Sequence, residues 1–139
     1  IKLIKGELPA DVELKVDVPD EIRVTVDGRR IQQVLLNLIL NGLQAMENGG
    51  ILSINARKQE DNELLCIQVQ DTGKGISEEH LSKIFDPFFT TRVEGEGTGL
   101  GLHLSRRIAQ ECGGELRYEP RPGGGARFVM EIPAMEQAA

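Results

Sequence analysis

The chain has no tryptophan, one tyrosine and four phenylalanines, and three of those phenylalanines stand at positions 85, 88 and 89. So sparse an aromatic supply, spent in one place, marks that stretch before any other. Cysteine is almost as scarce. Cys66 and Cys112 lie far apart with no C-x-x-C spacing, which points to neither a zinc site nor a disulfide framework and fits a reducing compartment. Basic residues fall short of acidic ones, 16 against 22, for a net charge of −6; with no basic run to offset the acids, a nucleic-acid partner is disfavoured. No apolar run approaches the roughly 20 residues of a membrane span, and no signal peptide opens the chain. Internal repeats and low-complexity tracts are missing. So are the two commonest phosphate fingerprints, G-x-x-x-x-G-K-[ST] and G-x-G-x-x-G. There is no initiator Met, and the pattern begins midway at Ile1, which reads as a piece of something longer.

What remains is ordinary soluble composition, 40% apolar and 27% charged, over 139 residues, enough for one domain with a real core. Alternating apolar residues at 12–18 predict a strand, and Ile22, Val24 and Val26 predict a second that could pair with it as a hairpin. Asp27 is a plausible cap for a helix over 28–46, which Gly49-Gly50 ends. Strands follow at 51–57 and 64–70. Ser77-Glu78-Glu79 reads as the capped start of a short helix to about residue 84. A helix over 100–111, a stop at Gly113-Gly114, and strands at 115–119 and 126–132 around a glycine turn complete the pattern. Residues 1–11 read as a lead-in and 134–139 as a fraying tail. The order predicts a two-layer α/β sandwich with helices on one sheet face.

Three stretches carry chemistry. In the first long helix Leu36, Leu40 and Leu43 widen the apolar face until the second half is apolar nearly all round. A stripe of Gln33, Asn37, Asn41 and Gln44 breaks it. Carboxamides between leucines, where a solvated stripe would carry Lys and Glu, suggest a cavity wall offering neutral oxygen to a hard cation such as Mg²⁺; a satisfied structural Asn pair or a narrow solvent edge is the plainer alternative. Next, Asp71-Thr72-Gly73-Lys74-Gly75-Ile76 leaves a strand end. Such an acid can accept a hydrogen bond from an amino group such as adenine N6, and the glycines let a ligand approach the backbone; alone, the stretch is equally a turn. Last, the run from Phe85 to Leu102 passes from an aromatic anchor through a glycine-rich segment into a helix start. Backbone N–H groups there, unobstructed by side chains, form a phosphate cradle, so the run reads as a hinged flap over an anion site.

Taken in order, these stretches resemble the boxes of sensor histidine kinases. Asn37-Leu38-Ile39-Leu40-Asn41-Gly42 resembles the N box and Asp71-Thr72-Gly73-Lys74-Gly75 the first glycine box. Phe85-Asp86-Pro87-Phe88-Phe89 resembles the F box, and Gly97-Thr98-Gly99-Leu100-Gly101-Leu102 the second glycine box. The runs 89–92 and 41–46 look most like the nitrogen-regulatory sensor class. The resemblance implies the Bergerat ATP-binding fold, a mixed, mostly antiparallel sheet of about five strands with about three helices on one face, spanning 1–139 as one domain. It implies that Asn41 coordinates Mg²⁺ between the phosphates of ATP with Asn37 beside it. Asp71 would hold the adenine amino group, with Gly73, Lys74, Gly75 and Ile76 around the purine. Gly97, Thr98, Gly99, Leu100, Gly101 and Leu102 would receive the phosphates, and Phe85 and Phe89 would anchor a lid that includes Thr90, Thr91 and Arg92. That lid would run from about residue 87 to 98, and its residues from about 90 to 97 would be the least ordered part of the chain before nucleotide binds.

Three departures bear on mechanism. The family's hydrolytic members have Glu where this chain has Asn37; a carboxamide cannot take a proton near neutral pH, which disfavours hydrolysis and favours transfer to an outside nucleophile. Gln44 replaces the phosphate-contacting Lys of other classes, which shifts weight onto Arg92, with Lys74 as a second cation. Ala126 follows Gly123-Gly124-Gly125 where Thr is usual. Neither His80 nor His103 has the context of a phosphoacceptor. The resemblance therefore implies a cytoplasmic, monomeric catalytic domain. It would phosphorylate a histidine on a dimerisation domain of the same full-length kinase, with a response regulator downstream and a parent that is soluble or membrane-anchored. The alternatives are a Bergerat ATP hydrolase or serine kinase, and a nucleotide-binding module without catalysis.

Overall fold

A computed structural model describes residues 11–17, 24–25, 28–59, 64–89, 101–133 and 135–136. Strand β1 (Val12–Asp17) and the short β2 (Val24–Thr25) precede helix α1 (Gly28–Ala45). Strands β3 (Gly50–Gln59) and β4 (Leu64–Asp71) follow, then a single 3₁₀ turn at Glu78–His80. Helix α2 (Gly101–Glu111), β5 (Glu115–Pro120), β6 (Ala126–Pro133) and β7 (Met135–Glu136) complete the chain. Five strands form one mixed sheet in the order β1-β3-β4-β6-β5, all pairs antiparallel except β1 with β3.

The core lies between this sheet and the two helices. Residues at every second position of β3, β4 and β6 (Leu52 and Ile54, Ile67 and Val69, Phe128 and Met130) meet Val34, Leu38 and Ile39 of α1 and Ile108 and Ala109 of α2. That is the period of two meeting the period of 3.6 that the apolar pattern encodes. Opposite the helices, β5 and β6 carry a charged lattice in which Arg117 pairs with Glu119 and Glu131. Helix α2 ends where Gly113 and Gly114 donate back to the carbonyls of Gln110 and Ala109, the paired closure that satisfies helix-end carbonyls.

Four expectations change. The second strand is no hairpin partner of the first: β2 pairs with β7, so residues 135–136 form a strand rather than part of a tail, and β1 lies parallel to β3 across α1. The described residues contain two helices rather than three. The stretch after Ser77 makes only the 3₁₀ turn, and Ser77 caps nothing; its hydroxyl pairs instead with His80 Nδ1 at 3.0 Å. On α1, whose second half is apolar nearly all round, Leu36 and Leu40 are 51% and 46% exposed. A helix lying on a sheet with one helical neighbour has a side that neither covers. Asp27 and the lid residues 90–97 lie outside the described residues.

Candidate functional site

Two side chains are the buried polar groups of the described residues, Asp71 at 3% exposed and Ser105 at 0%. Asp71 closes β4 on the core-facing side. Its Oδ1 accepts the Gly73 N–H at 2.8 Å, which turns the chain sharply away from the sheet. Burial pushes its carboxyl above the ordinary value, while N–H donation by Gly73 and Ala126 and the charge of Arg121 pull it down. It is therefore a desolvated carboxyl held by backbone donors.

The glycines around it are required by close approach. A Cβ on Gly73 would stand 2.3 Å from the Ala45 carbonyl oxygen, and one on Gly125 would stand 2.0 Å from the Asp71 carbonyl oxygen. Gly125 also has φ +105°, a region side chains avoid. Three loops thus meet backbone to backbone: the end of α1, the turn after β4, and the turn before β6. Lys74 N–H donates to Ala45 O at 3.2 Å, which ties the first two together. Gly75 lies against the Gly125 carbonyl, and Ile76 packs on the core. Lys74 is exposed.

Helix α1 passes directly over Asp71. A Cβ on Gly42 would be 3.5 Å from the Asp71 Cβ, so the residue after Asn41 is small where the acid comes closest. The carboxamide stripe does not behave as one unit. Asn37 and Asn41 are half-buried, whereas Gln33 and Gln44 are exposed. Asn37 Nδ2 donates to Ser105 Oγ at 3.3 Å. At the other end of α1, Arg30 pairs with Glu111, which also accepts from Arg107. The contacts 37–105 and 30–111 run in opposite senses, so α1 and α2 are antiparallel. One further turn along each helix brings Asn41 level with Gly101, the first residue of α2. Among the described residues, a Cβ at Gly101 would meet nothing within 4 Å. The first N–H groups of a helix have no partner within it, and with the helix dipole they favour an anion at the N-terminus of α2.

The aromatic run is partly packed into the fold. Phe85 packs edge-on to Phe128 with centroids 6.4 Å apart, Arg106 lies over its ring at 4.8 Å, and its carbonyl pairs with His103 Nδ1 at 3.2 Å. Phe89 sits 5.4 Å from the His80 ring, and Leu102 packs on the core. Phe88 is 72% exposed and holds φ +67°. Thr90, Thr91, Arg92, Gly97, Thr98, Gly99 and Leu100 lie outside the described residues, so the cradle is represented here by Gly101 and Leu102. Ser105 was missed from sequence, although a serine on the apolar face set by Leu102, Ile108 and Ala109 was a readable signal. An open depression of about 300 Å³ is lined by Met46, Glu47, Asn48, Thr72, Gly73 and Lys74 among others; Asn37, Asn41, Asp71 and Gly101 do not line it.

Residues 26–136 match the model of a family described as histidine kinase-, DNA gyrase B-, and HSP90-like ATPases. The sensor histidine kinase ZraS of Escherichia coli O157:H7 is 39% identical over 88% of this chain and 26% of its own length. Sporulation kinase C of Bacillus subtilis strain 168 is 35% identical over 88% of this chain and 28% of its own. The chain thus spans about a quarter of the length of the curated relatives it matches. Among solved structures, the catalytic domain of histidine kinase ThkA superposes with a TM-score of 0.78 at 35% identity, covering 90% of this chain and 82% of that one. Full-length ShkA in complex with AMPPNP gives 0.79 at 29% identity, over 92% and 27%.

Proposed function

Since the chain belongs to the histidine kinase-, DNA gyrase B- and HSP90-like ATPase family, as a histidine-kinase ATP-binding domain, we propose that it binds Mg-ATP and passes the γ-phosphoryl group to a histidine on a separate dimerisation domain. The observation that carries this reading is the juxtaposition of three groups: Asp71 as a buried acceptor, Asn41 one residue from its closest approach to α1, and the N-terminus of α2 level with Asn41. An adenine amino group would add a donor to Asp71, and the phosphates would lie toward Gly101. Asn41 lies between the two ends.

The donor set fits Mg²⁺ as a companion of the phosphates. No group of three or more His, Cys, Asp or Glu side chains that could cage a metal occurs among the described residues, and a hard cation held by one carboxamide must take its other oxygens from phosphates and water. Bound there, Mg²⁺ would neutralise charge on the phosphates. The chain's own residues orient the nucleotide: Asp71 fixes the base, Gly73 and Gly125 hold Asp71, and the N–H groups of α2 receive the phosphates. Asn37 donates its Nδ2 hydrogen to Ser105, and its amide has no proton-accepting role, so no base stands at position 37 to activate water. Phosphoryl transfer to an external histidine needs positioning and charge neutralisation rather than such a base. Arg92, with Lys74 second, is the cation proposed for the γ-phosphate; Thr90, Thr91 and residues 97–100 complete the proposed lid and cradle.

The histidine-bearing domain, a response regulator downstream and a cytoplasmic setting are proposed with this reading. Among the described residues no helix is long and apolar enough to cross a membrane. Titration calorimetry of the chain with ATP is the test. Saturable binding strengthened by Mg²⁺, weakened about tenfold or more by Asp71→Asn as expected for losing a charged hydrogen bond, and losing its Mg²⁺ dependence in Asn41→Ala, is the expected result. Affinity unchanged by Asp71→Asn would remove the adenine assignment.

A further inference from the structure

We infer that Ser105 is a positioning residue for the phosphate end of the site: through Asn37 it sets the height of the α2 N-terminus against Asn41. The inference rests on the kinase-domain reading above and deepens it. Ser105 is fully buried on the face of α2 that otherwise carries Leu102, Ile108 and Ala109. An alanine would fill such a place without the cost of burying a hydroxyl, so the hydroxyl's side-chain partner among the described residues, Asn37 Nδ2 at 3.3 Å, is informative. Both ends of this bond stand four residues, roughly 6 Å of helix rise, from the groups proposed to meet the phosphates. Asn37 precedes Asn41 by one turn, and Ser105 follows Gly101 by one turn.

Two packed helices can slide or rotate by small amounts at little cost where only aliphatic side chains meet. A hydrogen bond across the seam removes that freedom. At the far end the pair is tied by Arg30 and Glu111, both partly solvated, and a solvated ion pair with long side chains tolerates ångström-scale drift. The short side chains of Asn37 and Ser105 do not. Misplacement of donors by about 1 Å is enough to cost phosphate recognition and transfer heavily. Asp71 is positioned by different elements, the turns at Gly73 and Gly125, so base recognition should be independent of the Ser105 bond.

The test uses this chain with two ligands: Mg-ATP by calorimetry, and adenosine by NMR shift titration. In Ser105→Ala, Mg-ATP affinity should fall about 5–10-fold while adenosine affinity stays within about twofold of wild type. Asn37→Ala should lower Mg-ATP affinity too, and the double variant should be no weaker than the weaker single one, since both remove one bond. Ser105→Thr, which keeps the hydroxyl, should recover most of the loss. Equal losses for both ligands would reveal a merely structural serine and overturn the proposal, as would unchanged Mg-ATP affinity or effects of the two variants that multiply. Should Ser105→Ala fail to fold, Asn37→Ala reads the same bond from its exposed side, and selective loss of Mg-ATP affinity there is still required. Absence of Mg-ATP binding by the wild-type chain would instead sink the kinase-domain reading itself.

Discussion

Asp71 is held as an acceptor by backbone, and that gives it a distinctive pH behaviour. Burial raises its carboxyl above the ordinary value of 3.8. For an acid whose folded pKa is raised, the contribution to stability is fully present below 3.8 and is lost as pH climbs through the raised pKa, because the folded state prefers the proton. Adenine recognition has the opposite sign, since the amino group needs the ionised acceptor. The wild-type chain, compared with Asp71→Asn, should therefore lose thermal stability and gain adenosine affinity over the same window upward from 3.8, both levelling off above it. Melting curves and shift titrations across that range check this; parallel pH profiles for the two proteins would contradict it. Gly73 offers a second residue-scale outcome. A methyl group 2.3 Å from the Ala45 carbonyl must displace backbone on one side, so Gly73→Ala should cost about 1–3 kcal/mol as overpacking does. Denaturant unfolding would show it.

At the scale of elements, Phe85 ties the segment after β4 to the core and to α2. It touches Phe128 beneath, Arg106 above and His103 through its carbonyl, so it locates the start of α2. Phe85→Ala should destabilise the chain by about 2–4 kcal/mol, somewhat under the usual range for a fully buried Phe, and should lower Mg-ATP affinity more than adenosine affinity. The elements themselves were largely legible. The helices, β3, β4, β5 and β6 each announce a period of 3.6 or 2, and glycines stop them where expected. The parallel pairing of β1 with β3 was not legible, because alternation along a strand says which face is buried and nothing about its neighbour. The β2–β7 pair was hidden for the same reason; two residues carry no period. The carboxamide stripe was legible as chemistry but not as burial: Gln33 and Gln44 differ from Asn37 and Asn41 only by where α2 and the β4 turn happen to lie. Ser105 escaped because a helix-face serine is a weak signal until its partner is seen.

At the scale of the whole molecule, the described residues form a five-stranded sheet, a two-stranded one and two helices; in the proposed reading these bring a base-recognising end and a phosphate-recognising end to one site, with no carboxylate at position 37. Asn37→Glu tests that gap directly. Placing a carboxylate four residues before Asn41 should break the bond to Ser105 and introduce a proton acceptor, so ATP hydrolysis by the isolated chain should rise from near background while phosphoryl transfer falls. Steady hydrolysis by the wild-type chain would run against the account. The most direct measurement of its central claim mixes the wild-type chain with labelled ATP, Mg²⁺ and the histidine-bearing dimerisation domain of its own parent. Label should appear on that domain, stable in base and labile in acid, and be abolished by Asn41→Ala or by chelating Mg²⁺. Label released only as inorganic phosphate, or label on that domain that survives acid, would contradict it.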